Sequence, residues 1–471
     1  MEGSSLWENV HIVHKMPVSF LGLALNRAGG RGSAVHLQSR NYLRSGVRRP
    51  GYFTTIQSVA DRIKNLTFHL TASHPSSESN YLPELFAIPY PNLKSLDLSY
   101  NAYYSSVEWG NEDIYRPRVD VEGGAIMLRL IGLIPTGQLS HLTLRHMRGW
   151  SPTRFGNLTN LTLFGYADGN ALAEAVPANP ALQKLKLESI KRAHRYSYDA
   201  ERRVVLDGQT LELVRCTPSV LSMFALSSTC SLTITKTAKP RLLPNKREFP
   251  KFWLPEDVSA IRCLHDLEQV HFSITRIPGR KGWIVAEQKT IGYPTSNSTS
   301  GSGSKSSVTF TLTYHYDART PLYEVPFESK YLLPHPIPWG GVIRASFDGF
   351  HDQFMIRDNL PKLLPNLRSL VLGRCESNNL LRFIMVGELR RLESLRFEDE
   401  LCGADFGGTL FTVFEFRHIL IGQRLNGLEF VTPGDPSSII TLKQIEKLKE
   451  CIFRVEVTKR SGYRSIEMMA Y

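Results

Sequence analysis

A chain of 471 residues, 42% apolar and 10% aromatic, can fill a large core, and its six cysteines show no C-x-x-C pair or regular spacing that would mark a zinc site or disulfide framework. The net charge of +12 gathers partly in an early run (Arg27, Arg31, Arg40, Arg44, Arg48, Arg49); without a recognition motif it reads as a solvated basic face rather than a nucleic-acid site. No stretch reaches the ~18 apolar residues of a membrane helix. The start, MEGSSLWENVHIVHK, has no basic segment leading into an apolar core, which points to an intracellular protein, cytoplasmic or nuclear.

Residues 6–37 read as strand, helix, strand: LWENVHI, then PVSFLGLALNRAGG, then SAVHLQ. Pro17 suits a first helical turn, Phe20, Leu21 and Leu25 supply the apolar stripe, and Gly29 with Gly30 ends it. From 41 to 60 the chain is basic and irregular and leads into a helix near Ile56 to Ile63. The stretch NLKSLDLSYN then sets Leu93, Leu96 and Leu98 three residues ahead of Asn101, which is the pattern L-x-x-L-x-L-x-x-N of a leucine-rich repeat.

The pattern recurs with the first leucine at 139, 158 and 182, and again at 367, 392 and 425, close to the usual period of ~20 to 29 residues. At 367 the copy LRSLVLGRC places Cys375 where Asn101 stands in the first copy. Degenerate copies are Ile63, Leu66, Phe68; Leu267, Val270, Phe272; and Leu448, Cys451, Phe453. One such unit cannot bury its own apolar side, so the fold class expected is α/β: an irregular leucine-rich-repeat solenoid with a curved parallel sheet on the concave side and helices on the convex side. Helical returns are expected at Met127 to Ile134, Ala171 to Val176, Asn379 to Val386 and Thr409 to Ile421. TLEL and SLTIT read as strands around a helix at Ser219 to Leu226.

Between Trp283 and Trp339 the pattern breaks. Its centre, TSNSTSGSGSKSS, is low-complexity and reads as disordered, and the flanking GWIVAE and SVTFTLTYHY alternate well enough for a hairpin on an edge of the array. The organisation expected is a cap at 1–60, repeats at 61–282, an insertion at 283–339 with a disordered loop at 295–307, and repeats at 340–471.

The Leu-Trp-x-x-Val-x-Ile start, the helix ending in Asn26-Arg27-Ala28-Gly29-Gly30 and the strand after it resemble the segment that follows the F-box in fungal, basidiomycete-type F-box/leucine-rich-repeat proteins. The irregular repeats with a long insertion are similar to that family as well. The resemblance implies the substrate-recognition part of an SCF-type ubiquitin ligase. In that family the F-box lies upstream of the segment matching Leu6 to Ile12, and only five residues precede Leu6 here. The chain as given is therefore expected to lack the adaptor-docking module, and a ubiquitin-ligase adaptor is a partner only if an F-box stands upstream. The alternative is a repeat scaffold that binds a protein partner and has no ubiquitin role. Trp7 reads as an aromatic plug on the open end of the repeat core.

Chemistry is otherwise sparse. No H-E-x-x-H, G-x-S-x-G or dinucleotide fingerprint occurs, and Gly303-Ser304-Lys305 does not complete a phosphate loop, so neither an enzyme nor a cofactor or metal site is expected. His265, Asp266 and His271 are close in sequence, but His271 lies in a repeat strand and reads as solvent-facing. Cys375 and Cys451 read as packing residues, and the sequons at Asn65, Asn157, Asn160 and Asn297 as unmodified. What remains is the set of residues alternating with the buried leucines, because side chains alternate across a strand. On the concave face these are Ser95 and Asp97; His141, Thr143 and Arg145; Asn160, Thr162 and Phe164; Lys184 and Lys186; Gln269 and His271; Ser394 and Arg396. Their polar, aperiodic mixture suits a protein ligand better than a polyanion.

Overall fold

A strand written x-L-x-L-x can bury both leucines only if one side of its sheet is covered, and neighbouring strands of the same kind can align their leucines only in register. The computed structural model has that arrangement. It describes residues 9–12, 17–27, 33–38, 50–72, 88–102, 138–146, 155–165, 167, 169–190, 203–238, 254–255, 257–278, 284–295, 308–317, 337–349, 364–373, 389–398, 410, 412–415, 417–418, 422, 424–432 and 441–459. The chain divides into two compact units, Met1–Ala225 and Leu226–Tyr471, and both are α/β with a largely parallel sheet.

In the first unit the strands are β1 (Asn9–Ile12), β2 (Ser33–Gln38), β3 (Ile63–Ala72), β4 (Ser95–Ala102), β5 (His141–Arg145), β6 (Asn160–Phe164), β7 (Lys184–Glu188), β8 (Val204–Leu206) and β9 (Thr210–Val214). β1 to β7 follow one another in parallel, and β9 adds to β7. The register sets Leu96, Leu142, Leu161, Leu185 and Leu211 side by side, with Leu98, Leu144, Leu163, Leu187 and Leu213 in a second row. Each is at most 2% exposed. The first leucine of the motif does a different job: Leu93, Leu158 and Leu182 each donate a backbone N–H to the carbonyl three residues back, closing a turn before the strand.

Both ends of these strands repeat their hydrogen bonds. At the start, the Lys94 carbonyl accepts from the N–H groups of Ser140 and His141, the Ser140 carbonyl from Thr159 and Asn160, and the Thr159 carbonyl from Gln183 and Lys184. At the far end, the residue after the strand takes a left-handed conformation: His146 (φ 59°), Gly165 (φ 78°), Ser189 (φ 56°) and Arg215 (φ 55°). The first three donate their N–H to the last carbonyl of the next strand, on Phe164, Glu188 and Val214.

Among the described residues three helices of eight or more residues belong to this unit: α1 (Val18–Arg27), α2 (Pro50–Gln57) and α3 (Gly169–Ala178). The α3 stripe Leu172, Ala175 and Val176 is buried. At its end the buried Asn179 side chain donates to the Ala175 carbonyl (2.7 Å) and accepts from the Leu158 N–H (3.3 Å), tying the return to the preceding rung. The short α4 (Pro218–Leu221) is followed by β10 (Phe224–Leu226), which pairs with β8.

The second unit contains β11 (Ser231–Ala238), β12 (Leu267–Pro278), β13 (Ile284–Pro294), β14 (Phe310–Asp317), β15 (Arg344–Asp348), β16 (Ser369–Gly373), β17 (Ser394–Glu398), β18 (Gly427–Thr432) and β19 (Val455–Lys459), with α5 (Leu442–Cys451) before the last strand. β12 and β15 to β19 are successive parallel rungs. Phenylalanine takes the second inward position in several of them, and Phe272 stacks on Phe347 (4.8 Å) and Phe397 on Phe430 (5.6 Å). A capping box at Thr441 and Gln444 starts α5.

Several expectations need correction. The hairpin of the insertion, β13 with β14, does form, but not on an edge: β13 pairs antiparallel with β12, and β14 pairs parallel with β11, so it is wedged between repeat strands. The helix expected over Ile56 to Ile63 lies earlier, at Pro50–Gln57, because Ile63 already opens β3. The helix expected over Ser219 to Leu226 stops at Leu221, and Phe224–Leu226 is a strand.

The last strand lies four residues beyond its expected register. Leu448 and Cys451 are buried from α5, Phe453 is 69% exposed, and Val455 and Val457 align with Leu428 and Phe430. Helical backbone is present at 412–415 and 417–418, as expected. Met127 to Ile134, Asn379 to Val386, Trp7, Cys375 and the low-complexity loop after Thr295 lie outside the described residues. No described helix is long and apolar enough to cross a membrane.

Candidate protein-interaction face

Inward leucines at every second position leave the alternate residues on the opposite side of the sheet. The burial pattern confirms this for β5, β6, β7, β9 and β17, where buried and part-exposed residues alternate strictly. Register then collects outward residues that are far apart in sequence. In the first unit the central row runs Thr67, Asp97, Thr143, Thr162, Lys186, Glu212. The row before it contains Ser95, His141, Asn160 and Lys184, and the row after it Ser99, Arg145, Phe164 and Glu188. Ten of the fourteen predicted face residues stand in these three rows; Ser99, in the same alternation, is buried.

The charged members meet one another across the strands. Arg145 Nε donates to Asp97 Oδ1 (3.2 Å) and Nη2 to Oδ2 (3.1 Å), which holds the guanidinium pKa above its ordinary value. The same guanidinium lies over the Phe164 ring, 5.8 Å from its centroid, and the His146 ring meets Phe164 edge-on at 4.9 Å. Gly165 makes room for that imidazole, since a Cβ there would come within 2.3 Å of His146 Nδ1. Burial, and then Arg145, push the His146 pKa down. On β7 and β9, Lys184 contacts Glu212 at 2.6 Å, Lys186 reaches Glu212 (3.3 Å) and Glu188 (3.6 Å), and Arg215 pairs with Glu188. Burial raises the Glu212 pKa, and the two lysines more than offset it, so the carboxyl lies below its usual range.

The remaining four predicted residues stand in the second unit and are not gathered together. Gln269 and His271 are on β12, whereas Ser394 and Arg396 are on β17, with β15 and β16 between. His271 is half-buried rather than open to solvent: its Nδ1 is 2.9 Å from Ser346 Oγ, and burial lowers its pKa. Arg396 contacts Glu398 (2.8 Å) and Glu429 (3.4 Å).

Face residues that sequence reasoning missed are Glu212 and Arg215 around β9, and Ser346 and Asp348 on β15. The TLEL run could have supplied Glu212, but Arg215 lies two residues past it. RASFD, with no leucine, gave no signal for the others. Among the described residues no group of three His, Cys, Asp or Glu is placed to hold a metal. The four described cysteines, Cys216, Cys230, Cys263 and Cys451, are buried and form no disulfide, and burial pushes the Cys263 thiol up to about 12. No protein-family model matches the chain, and no curated protein matches it significantly.

Proposed function

We propose that the chain is a leucine-rich-repeat solenoid acting as a protein-interaction module, and that the outward sheet face of its first unit binds the partner. The observation that carries this reading is the central row from Thr67 to Glu212, in which consecutive rungs set part-exposed residues side by side on a rigid, hydrogen-bonded floor. Side chains on such a floor lose little freedom on binding. The resemblance of residues 6–37 to the post-F-box segment supports reading the bound protein as a ubiquitin-ligase substrate.

The test is affinity purification with quantitative mass spectrometry, comparing wild type with Thr143→Arg/Thr162→Arg at matched melting temperature. Loss of a partner from the variant alone supports the interaction reading; an unchanged set of partners overturns it. Accumulation of that partner when the protein is depleted supports the ligase role, and an unchanged half-life removes it.

A further inference from the structure

The far row of the first unit, Arg145 on β5, Phe164 on β6, Glu188 on β7 and Val214 on β9, crosses four adjacent strands, and Arg215 follows directly on Val214. In its ion pairs the cation is the outer member. Arg215 is 50% exposed against 17% for Glu188, and Arg145 36% against 24% for Asp97. The carboxylates therefore act as a floor that fixes the guanidinium groups in place. Between the two arginines lies the Phe164 ring, held by Arg145 on its face and His146 at its edge. An arginine and an aromatic side chain immobilised before binding are the residue types that dominate interface energetics.

Spacing sets the partner's form. Three strand steps of ~4.8 Å separate β5, which carries Arg145, from β9, which Arg215 follows, by about 14 Å. An extended peptide advances roughly 3.3 Å per residue and presents every second side chain on one side, so residues i, i+2 and i+4 span about 13 Å. We propose that this row binds an extended segment of a partner protein with acidic residues at i and i+4 and an apolar residue at i+2, the carboxylates on Arg145 and Arg215 and the apolar side chain on Phe164. A nucleic acid fits worse, because its phosphates would fall over Glu188 as well as over the arginines. This inference rests on the interaction reading above and names the partner's chemistry.

The experiment titrates the full chain with the labelled peptide Gly-Glu-Ala-Leu-Ala-Glu-Gly, its scrambled form Gly-Leu-Glu-Glu-Ala-Ala-Gly, and an oligothymidylate of similar length, by fluorescence anisotropy. Saturable binding of the first is expected, with the scrambled peptide at least fivefold weaker. Arg215→Gln and Phe164→Ala should each weaken the first peptide about tenfold, while the remote Lys64→Gln changes it less than twofold, with melting temperatures compared for all three. Equal binding of the two peptides, indifference to Arg215→Gln, or tighter binding of the oligonucleotide overturns the proposal. If no peptide binds but Thr143→Arg/Thr162→Arg still abolishes partner capture, this inference falls and the interaction reading stands.

Discussion

The rungs from β4 to β9 and the β12–β13–β14 segment solve the same packing problem with opposite means. Leaving out the three-residue β8, which pairs with β10, the rungs are five to eight residues long, parallel and leucine-lined. In the other segment two long antiparallel strands enter the sheet, and the inward positions of β13 are Thr290 and Gly292, aligned with Phe272 and Val270. Nothing large would fit there: a Cβ on Gly292 would come within 2.8 Å of Leu267 Cδ2. The foreign strand β13 is thus accommodated by keeping the hydrogen-bond ladder and yielding its core volume, part of it to Phe310 and Leu312 of its own partner β14.

The sharpest way to break the comparison is a charge in each alternation position of one rung. Leu161→Asp places a carboxylate among buried leucines and should cost more than about 4 kcal/mol, unfolding the first unit in a denaturant titration. Thr162→Asp, one residue on, should stay within about 0.5 kcal/mol. Equal losses would mean that the inward and outward rows are exchanged.

The hairpin segment should answer differently, failing by overpacking. Gly292→Val drives a side chain into Leu267 and is expected to lower stability by about 1–3 kcal/mol. Gly427→Ala in β18, where nothing lies within 4 Å of the added Cβ, should be nearly silent. A third site sits at the rung ends. Gly165→Ala combines a left-handed backbone with the His146 contact and should cost about 1–2 kcal/mol, part of it recovered in a Gly165→Ala/His146→Ala double variant.

Thr290→Val should move the other way. Its hydroxyl is fully buried with no hydrogen-bond partner, so the isosteric change is expected to stabilise the chain by about 1 kcal/mol in thermal melts.

The smallest effect is on pH. Burial holds the folded pKa of His146 and His271 below the ordinary histidine value. The unfolded chain therefore binds protons first. Their contribution is intact above about pH 6.5 and is lost as pH falls through that range toward the folded values. His146→Asn, which tolerates the left-handed backbone, should flatten the slope of stability between pH 7 and 5.

Most of the sheet was legible because leucine periodicity reports burial directly. The strands at Leu96, Leu142, Leu161, Leu185, Leu370, Leu395 and Leu428 lie where the motif places them. Legibility failed where apolar identity no longer distinguished helix from strand. Leu448 and Cys451 are buried but sit on α5, and β15 uses Ala345 and Phe347 where the motif asks for leucine. The candidate face was legible as a list of positions, but its ion pairs were not, since Asp97 and Arg145 are brought together by register alone.

The left-handed residue that closes a rung has an engineering meaning. By spending its N–H on the next strand, it fixes where the chain leaves the sheet before the connecting segment begins. Residues 146–159 separate β5 from β6, 165–183 β6 from β7 and 189–209 β7 from β9, yet all three pairs keep the same register. Return length is thereby uncoupled from strand alignment, which makes these connections natural ports for loop grafting.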